Sequence, residues 1–366
     1  MKILCNKDAL HNGLSIVNRA ISSRTTMPVL EGIYMETEEN SLKLTCTDMT
    51  IGIETRIEAE VLEAGEVVVP GKLFSEICRK LPEGEVTLES NESKINIQCG
   101  SSNTKMQMLP VHDFPSLPDV EDVTPFIIKQ GALKNMIRRT LFAAATDESR
   151  PVLTGALMEI QGDSFKIVAL DGYRLAMNSF KLGDEYADMK AIVPASSLNE
   201  IGRLMGDDEK ANVFINGAHM MVEIENTRII TRLLDGEFIK YEQILPTDWQ
   251  TRIRVNAKAL EEALDRASTM AREGNSNLVK FVMESNVLQI NSESELGNVH
   301  EEVPVALEGK DLQIAFNIRY IVDVLKNMDD EEMYFCFTTS VSQCNIKPIE
   351  GDEFLYLVLP VRIYAQ

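Results

Sequence analysis

The residues that most often do chemistry are thinly spread in this chain. Its four histidines, His11, His112, His219 and His300, stand apart, and no two sit at a spacing that would let them share a metal ion. The six cysteines (Cys5, Cys46, Cys78, Cys99, Cys336, Cys344) follow no Cys-x-x-Cys pattern, which predicts reduced, mostly buried thiols rather than disulfides or a zinc site. No Gly-x-x-x-x-Gly-Lys-Ser/Thr cradle for phosphate occurs, no Gly-x-Gly-x-x-Gly after a strand, no His-Glu-x-x-His and no Gly-x-Ser-x-Gly elbow. Asp48 and Asp171 hold matching positions, but neither has a partner base. The expectation is a protein with no catalytic site, cofactor or metal.

What remains is charge, and its distribution is uneven. Helical patterns are predicted over 7–20, 71–80, 131–145, 195–205, 257–272 and 317–328. These segments hold fourteen Lys and Arg, among them Lys72, Arg79, Lys80, Lys134, Arg138, Arg139 and Arg203, against seven acids. The helices are therefore net +7 in a chain of net charge −21, and everything else carries −28. Helices tolerate Lys and Arg well, so solvated faces are one explanation. The other is that the six helices share one positive surface inside an acidic shell, suited to a phosphate backbone contacted without reading bases. Aromatics are sparse on these helices (Phe74, Phe142, Tyr320) and lie on apolar stripes, which argues against a single-strand binder.

The elements that would position these charges recur. Val67-Val-Val-Pro70, Ile192-Val-Pro194 and Ile314-Ala-Phe-Asn317 each run into a helix, at offsets of 124 and 123 residues. A second series, Ile3-Leu-Cys-Asn6, Phe126-Ile-Ile-Lys129 and Ile253-Arg-Val-Asn256, has offsets of 123 and 127. At Pro194 the junction is read with a Ser cap ahead of its helix. The 366 residues thus divide into three tandem domains, each of two strand–helix–strands half-units. Alternating strands such as Leu42–Thr47, Phe165–Leu170 and Val287–Asn291 make the class α+β. Boundaries are expected at 1–121, 125–247 and 249–366, with linkers in Pro110–Pro125 and Leu245–Gln250. The longest apolar run falls short of the about 18 residues of a membrane span. Met1–Asp8 lacks a signal peptide's apolar core, which predicts a cytosolic protein.

Three stretches go further. Leu170-Asp-Gly-Tyr-Arg-Leu175, Asn317–Leu325 and Val358-Leu-Pro-Val-Arg-Ile363, set in a threefold repeat, resemble the bacterial DNA polymerase III beta subunits, the sliding clamps. The similarity runs over the whole chain in the same domain order. It implies a head-to-tail homodimer, a six-domain ring around duplex DNA with twelve helices lining the hole, and no enzymatic activity. The implied partners are duplex DNA, the replicative polymerase, a clamp loader, and repair polymerases and other groove-binding proteins, in the cytoplasm and away from membranes.

The same resemblance implies site residues. A partner-peptide groove would use Leu153, Leu170, Gly172, Tyr173, Arg174, Leu175, Ile244, Asn317, Tyr320, Val341, Val358, Leu359, Pro360, Val361 and Arg362. Arg24, Lys72 and Arg150 match basic DNA-contact positions, and Pro151-Val152 stands where some members carry an aromatic pair. The dimer interface would join Lys105, Met106 and Met108 to Met270, Glu301 and Glu302. Tyr173 replaces a His of some members, Ile239 replaces a common Pro, and Tyr364-Ala-Gln366 extends the usual ending. The rival reading is a protein-only scaffold that binds peptides without nucleic acid.

Overall fold

The recurring asparagine in the repeat starts helices. In the computed structural model, which describes all residues except 23–24, 121, 246–247, 274–276 and 363–366, Asn6 Oδ1 accepts from the amides of Asp8 and Ala9 at 2.8 and 3.2 Å. Asn256 Oδ1 accepts from Ala259 at 2.9 Å and Asn317 Oδ1 from Arg319 at 3.0 Å. Each bond satisfies a first-turn amide that the helix itself leaves open.

The described residues form six α-helices: α1 (Lys7–Val17), α2 (Gly71–Lys80), α3 (Gln130–Leu141), α4 (Ala195–Leu204), α5 (Ala257–Glu273) and α6 (Ile318–Lys326). All six lie within two residues of their predicted starts. Two end early. Residues Asn18–Ala20 tighten into a 3-10 turn after α1, and the chain leaves α3 when the Ala145 amide finds the Leu153 carbonyl at 2.8 Å. The expected Ser cap of α4 is absent, because the helix begins at Ala195 and takes both serines inside it. Ser197 is buried and accepts a bond from Thr231 Oγ1 at 2.7 Å.

Strands supply the rest of an α+β architecture, packed as two units. The first comprises residues 1–131 and 196–233 and holds two antiparallel sheets. One has five strands, with Ser102–Gln107 at an edge. The other has eight, joined across the sequence repeat where Thr227–Arg232 pairs with Ile51–Glu58. Helix α1 lies so close to that sheet that a Cβ on Gly13 would sit 2.8 Å from Ile57 and Leu44 side-chain atoms. The linker that follows presents Val111, Phe114, Leu117, Val120 and Val123 to the same unit, one residue in three. That spacing matches a proline-rich chain with three residues per turn, which starts in the 3-10 turn Val111–Asp113.

The second unit, residues 132–195 and 234–366, is built on one ten-stranded antiparallel sheet. The hairpin Gly155–Leu170 and Arg174–Pro194 joins the last third of the chain where Arg174–Pro194 pairs with Phe354–Val358. Packing therefore divides the middle third, while sequence similarity keeps it whole. No helix among the described residues is long and apolar enough to cross a membrane.

All six cysteines are buried and unpaired. Burial pushes the Cys5 and Cys78 thiols up to about 12, and only a thiolate attacks a disulfide reagent efficiently. Native protein treated with dithionitrobenzoate near neutral pH is expected to react negligibly within minutes, and denatured chain to release six equivalents. Fast titration of even one native thiol would contradict this packing.

Candidate functional site

The turn between Leu170 and Arg174 is self-bracing. Asp171 Oδ1 accepts from the amides of Tyr173 and Arg174 at 2.9 and 3.0 Å, an Asx-type turn. Gly172 sits at φ +92°, a conformation that side-chain-bearing residues rarely adopt. Tyr173 is thereby pushed outward, 61% exposed, and stacks on Tyr320 of α6 with ring centroids 6.2 Å apart.

Arg174 then turns inward. Its Nε donates to Asp171 Oδ2 at 3.0 Å and its Nη1 to Asp323 Oδ2 at 2.6 Å. The guanidinium lies 4.7 Å from the Tyr320 ring centre and 5.6 Å from that of Phe142. Two carboxylates and two aromatic faces leave the side chain 12% exposed. Arg174 ties hairpin to helix, and its charge is neutralised within the protein.

Beside this turn opens a cavity of about 540 Å³ with a largely apolar wall. It is lined by Leu170, Gly172, Tyr173, Arg174 and Leu175 from the turn and its strands, by Ile239, Gln243, Ile244 and Leu245 from the linker, and by Gln343, Leu357 and Leu359 from the last third of the chain. The linker's lining residues include the short 3-10 helix Tyr241–Ile244, and a buried anchor holds it. Tyr241 donates to Glu159 Oε2 at 2.8 Å, while Lys190 Nζ lies 2.6 Å from Glu159 Oε1. Tyr241 is 2% exposed and packs among Leu153, Leu157, Leu170, Leu175 and Leu357. Gln343 closes one end, its Nε2 donating to the Ile244 carbonyl at 3.4 Å.

Seven of the expected groove residues thus line one cavity: Leu170, Gly172, Tyr173, Arg174, Leu175, Ile244 and Leu359. The others stand elsewhere. Leu153 is core beneath the floor, Asn317 caps α6, and Tyr320 supports Tyr173 and Arg174 from behind. Val358 is fully buried and is not in the cavity lining, where its neighbour Leu357 stands. Val341, Val361 and Arg362 are exposed outside the cavity, and Pro360 is half-buried. Backbone bonds fix this ending, from Leu359 N to Tyr173 O and from Val361 N to Ala315 O, each 2.8 Å. Ile239 was noted in the sequence only as a departure, and Gln243, Leu245, Gln343 and Leu357 were missed. Flanking positions around Ile244 were the available signal for the linker residues. The Tyr364–Gln366 tail lies outside the described residues.

The expected DNA contacts divide as well. Lys72 and Arg79 on α2, Lys134 on α3 and Arg150 are exposed. Lys80 pairs with Glu76 at 2.7 Å and Arg203 with Glu200 at 2.7 Å, both at the surface. Arg138 is bonded to Asn135 at 2.8 Å and to Asp329. Arg139 is 12% exposed and sits 3.2 Å from Asp330 and 3.5 Å from Asp329, over the Phe354 ring. Burial raises the Asp329 carboxyl, but the bonds from Arg138 and Arg139 reverse this and hold it below the usual range. Arg24 lies outside the described residues. Among expected interface residues, Lys105 and Glu302 are exposed, Met108 and Met270 half-buried, and Glu301 is gripped by Arg266 at 3.0 and 2.6 Å. Met106, at 7% exposure, packs in its own domain's core.

Comparison with known proteins gives a consistent picture. Family models for the DNA polymerase III beta subunit match in order: the N-terminal domain over residues 1–118, the central domain over 127–240 and the C-terminal domain over 242–362. The beta sliding clamp of Staphylococcus epidermidis is 35% identical, with 100% of both chains covered. That of Synechocystis is 33% identical over 99% of this chain and 100% of the other. A DNA polymerase sliding clamp from Bacillus subtilis superposes with a TM-score of 0.97 at 32% identity, 100% of each chain covered. A Pseudomonas aeruginosa clamp bound to griselimycin gives 0.94 at 28% identity, covering 99% of this chain and 100% of that one.

Tyr241→Phe leaves a buried carboxylate oxygen without its donor and is expected to cost about 1–2 kcal/mol in urea unfolding. Burial raises the Glu159 carboxyl, but the bonds from Lys190 and Tyr241 more than reverse that. Its stabilisation is therefore complete above the ordinary carboxylate range and disappears as pH falls through the lower folded value. The stability gap between the native protein and Glu159→Gln is expected to narrow from pH 7 to pH 3. A gap independent of pH would show that the charge is not the anchor.

Proposed function

The chain belongs to the DNA polymerase III beta subunit family, and we propose that it acts as a sliding clamp, a non-catalytic ring that encloses duplex DNA and tethers the replicative polymerase. The observation carrying this reading is the segregation of charge, with six helices at net +5 in a chain of −21. A protein-only scaffold would not need it. Lys72, Arg79, Lys134 and Arg150 are the exposed cations that fit a phosphate backbone best. A ring holds DNA by topology, so each contact can stay weak, salt-screened and blind to sequence, which lets the protein slide.

Three domains at 1–121, 125–247 and 249–366, doubled head to tail, would make the ring. Free strand edges support that closure. Ser102–Gln107 pairs only with Lys94–Cys99, and residues 297–304 pair only with 287–294. Both are unpaired on their other side among the described residues, the condition for strand addition between copies. Lys105 lies on the first edge, and Glu301 and Glu302 lie on the second.

The cavity beside Tyr173 would receive a short apolar peptide from the polymerase, the clamp loader or repair polymerases. Its leucine-rich floor supplies burial, and the carbonyls and amides of its two loops fix orientation. Arg174 serves by holding the wall. Tethering raises a partner's effective concentration at the primer end to about millimolar. Work beside the chromosome places the protein in the cytoplasm.

Loaded by a clamp loader onto a nicked circular plasmid, the protein is expected to co-elute with DNA in gel filtration and to be released once a restriction enzyme linearises the plasmid. Equal retention on circle and linear DNA would exclude a topological link.

A further inference from the structure

A strand inside the ten-stranded sheet buries an amide that nothing in the chain satisfies. Asn178, on Arg174–Pro194, is 5% exposed, and its side chain makes no hydrogen bond among the described residues. Its backbone is paired on both sides, to Ile167 and to Phe354. Asparagine is a poor strand residue, and a buried amide without a partner costs stability. Packing gives no reason for Asn178.

The amide lines a cavity of about 590 Å³. Phe180, two residues further along the strand and so on the same face, lines it too. Helix α3 contributes Met136 and Arg139, three residues apart on one helical face. Arg139 has donors to spare: its one hydrogen bond among the described residues, to Asp329, leaves from Nη2, and its Nε is buried without a partner. The guanidinium charge is balanced by Asp329 and Asp330, and Lys181, another lining residue, lies 3.6 Å from Asp163. Asp352 and Glu353 complete the lining, exposed and without an ion pair among the described residues. The cavity therefore offers an unused amide, an unused guanidinium donor, an aromatic ring and a surplus of negative charge.

We propose that this cavity binds an adenine nucleoside. The adenine N6–H donates to Asn178 Oδ1 and Asn178 Nδ2 donates to N7, the pairing that asparagine makes with this base in a DNA groove. Arg139 Nη1 supplies a further donor for a ring nitrogen, and Phe180 and Met136 supply the apolar contact that a flat ring takes. Asp352 and Glu353 accept from the ribose hydroxyls, as acidic residues do in dinucleotide sites. Their charge favours the uncharged nucleoside over its phosphates. A peptide amide carries the same donor and acceptor, but extended peptides bind along a free strand edge, and the strand edges at Asn178 are taken. The cavity shares no residue with the one beside Tyr173, and the assignment does not rest on the clamp reading.

The test is calorimetric titration of the full chain with adenosine and, separately, with inosine, AMP and acetylglycinamide. Adenosine should bind saturably, at one site per chain. Inosine presents an oxygen where adenine presents N6–H and should bind about tenfold more weakly. AMP should also bind more weakly than adenosine, and the double variant Asp352→Asn with Glu353→Gln, at two exposed positions, should remove that difference. Asn178→Val should abolish adenosine binding and raise the Tm without ligand, because it takes an unpartnered amide out of a strand. The proposal is overturned if the adenosine heats do not saturate, if inosine, AMP or acetylglycinamide binds as tightly as adenosine, or if Asn178→Val keeps the native affinity.

Discussion

Backbone pairing across the sequence repeats is the constraint on which the rest of this structure depends. A β-rich domain of about 120 residues ends in strand edges whose amides and carbonyls need partners. Here the edges are spent on the next repeat. Thr227–Arg232 continues the sheet of Ile51–Glu58, and Arg174–Pro194 continues into Phe354–Val358. The Thr55 and Thr227 hydroxyls even share a buried hydrogen bond of 2.8 Å at the first join. Because the joins are sheet, each packing unit runs through a domain boundary that the sequence keeps distinct.

The groove follows from the second join. Pairing Arg174 opposite Val358 brings the tight turn at Gly172, the ending at Leu359 and the helix α6 to one place. The turn needs Gly172 for its positive φ and Asp171 to hold its amides, and those demands push Tyr173 out and Arg174 in. A loop opposite then needs only one firm attachment, which Tyr241 provides by reaching Glu159. Rigid backbone with an apolar floor would keep the proposed peptide site open before its ligand arrives, which lowers the ordering cost of binding.

Local features were legible in the sequence and remote ones were not. The helix starts at Asn6, Asn256 and Asn317 could be read because a cap acts within three residues. The three-fold repeat was readable because short strand-to-helix segments recur at offsets of 123 to 127 residues. Around Leu357 and Val358, period-two alternation gives two faces without saying which one meets the cavity. Arg139 counted as a surface cation until its partners, Asp329 and Asp330, appeared about 190 residues away. Tyr241 and Glu159 are separated by 82 residues, and nothing in either's neighbourhood announces the other. Met106 alternates correctly for a strand, but the sequence left open that its side faces the domain's own core.

A closed ring is the central claim, and a ring of three-domain subunits requires two copies. Light scattering coupled to gel filtration, run over a dilution series, measures this directly. The account predicts a particle of twice the 41.0 kDa chain mass at micromolar concentration. A mass of one chain that persists at the highest concentration, with no larger species, would contradict it.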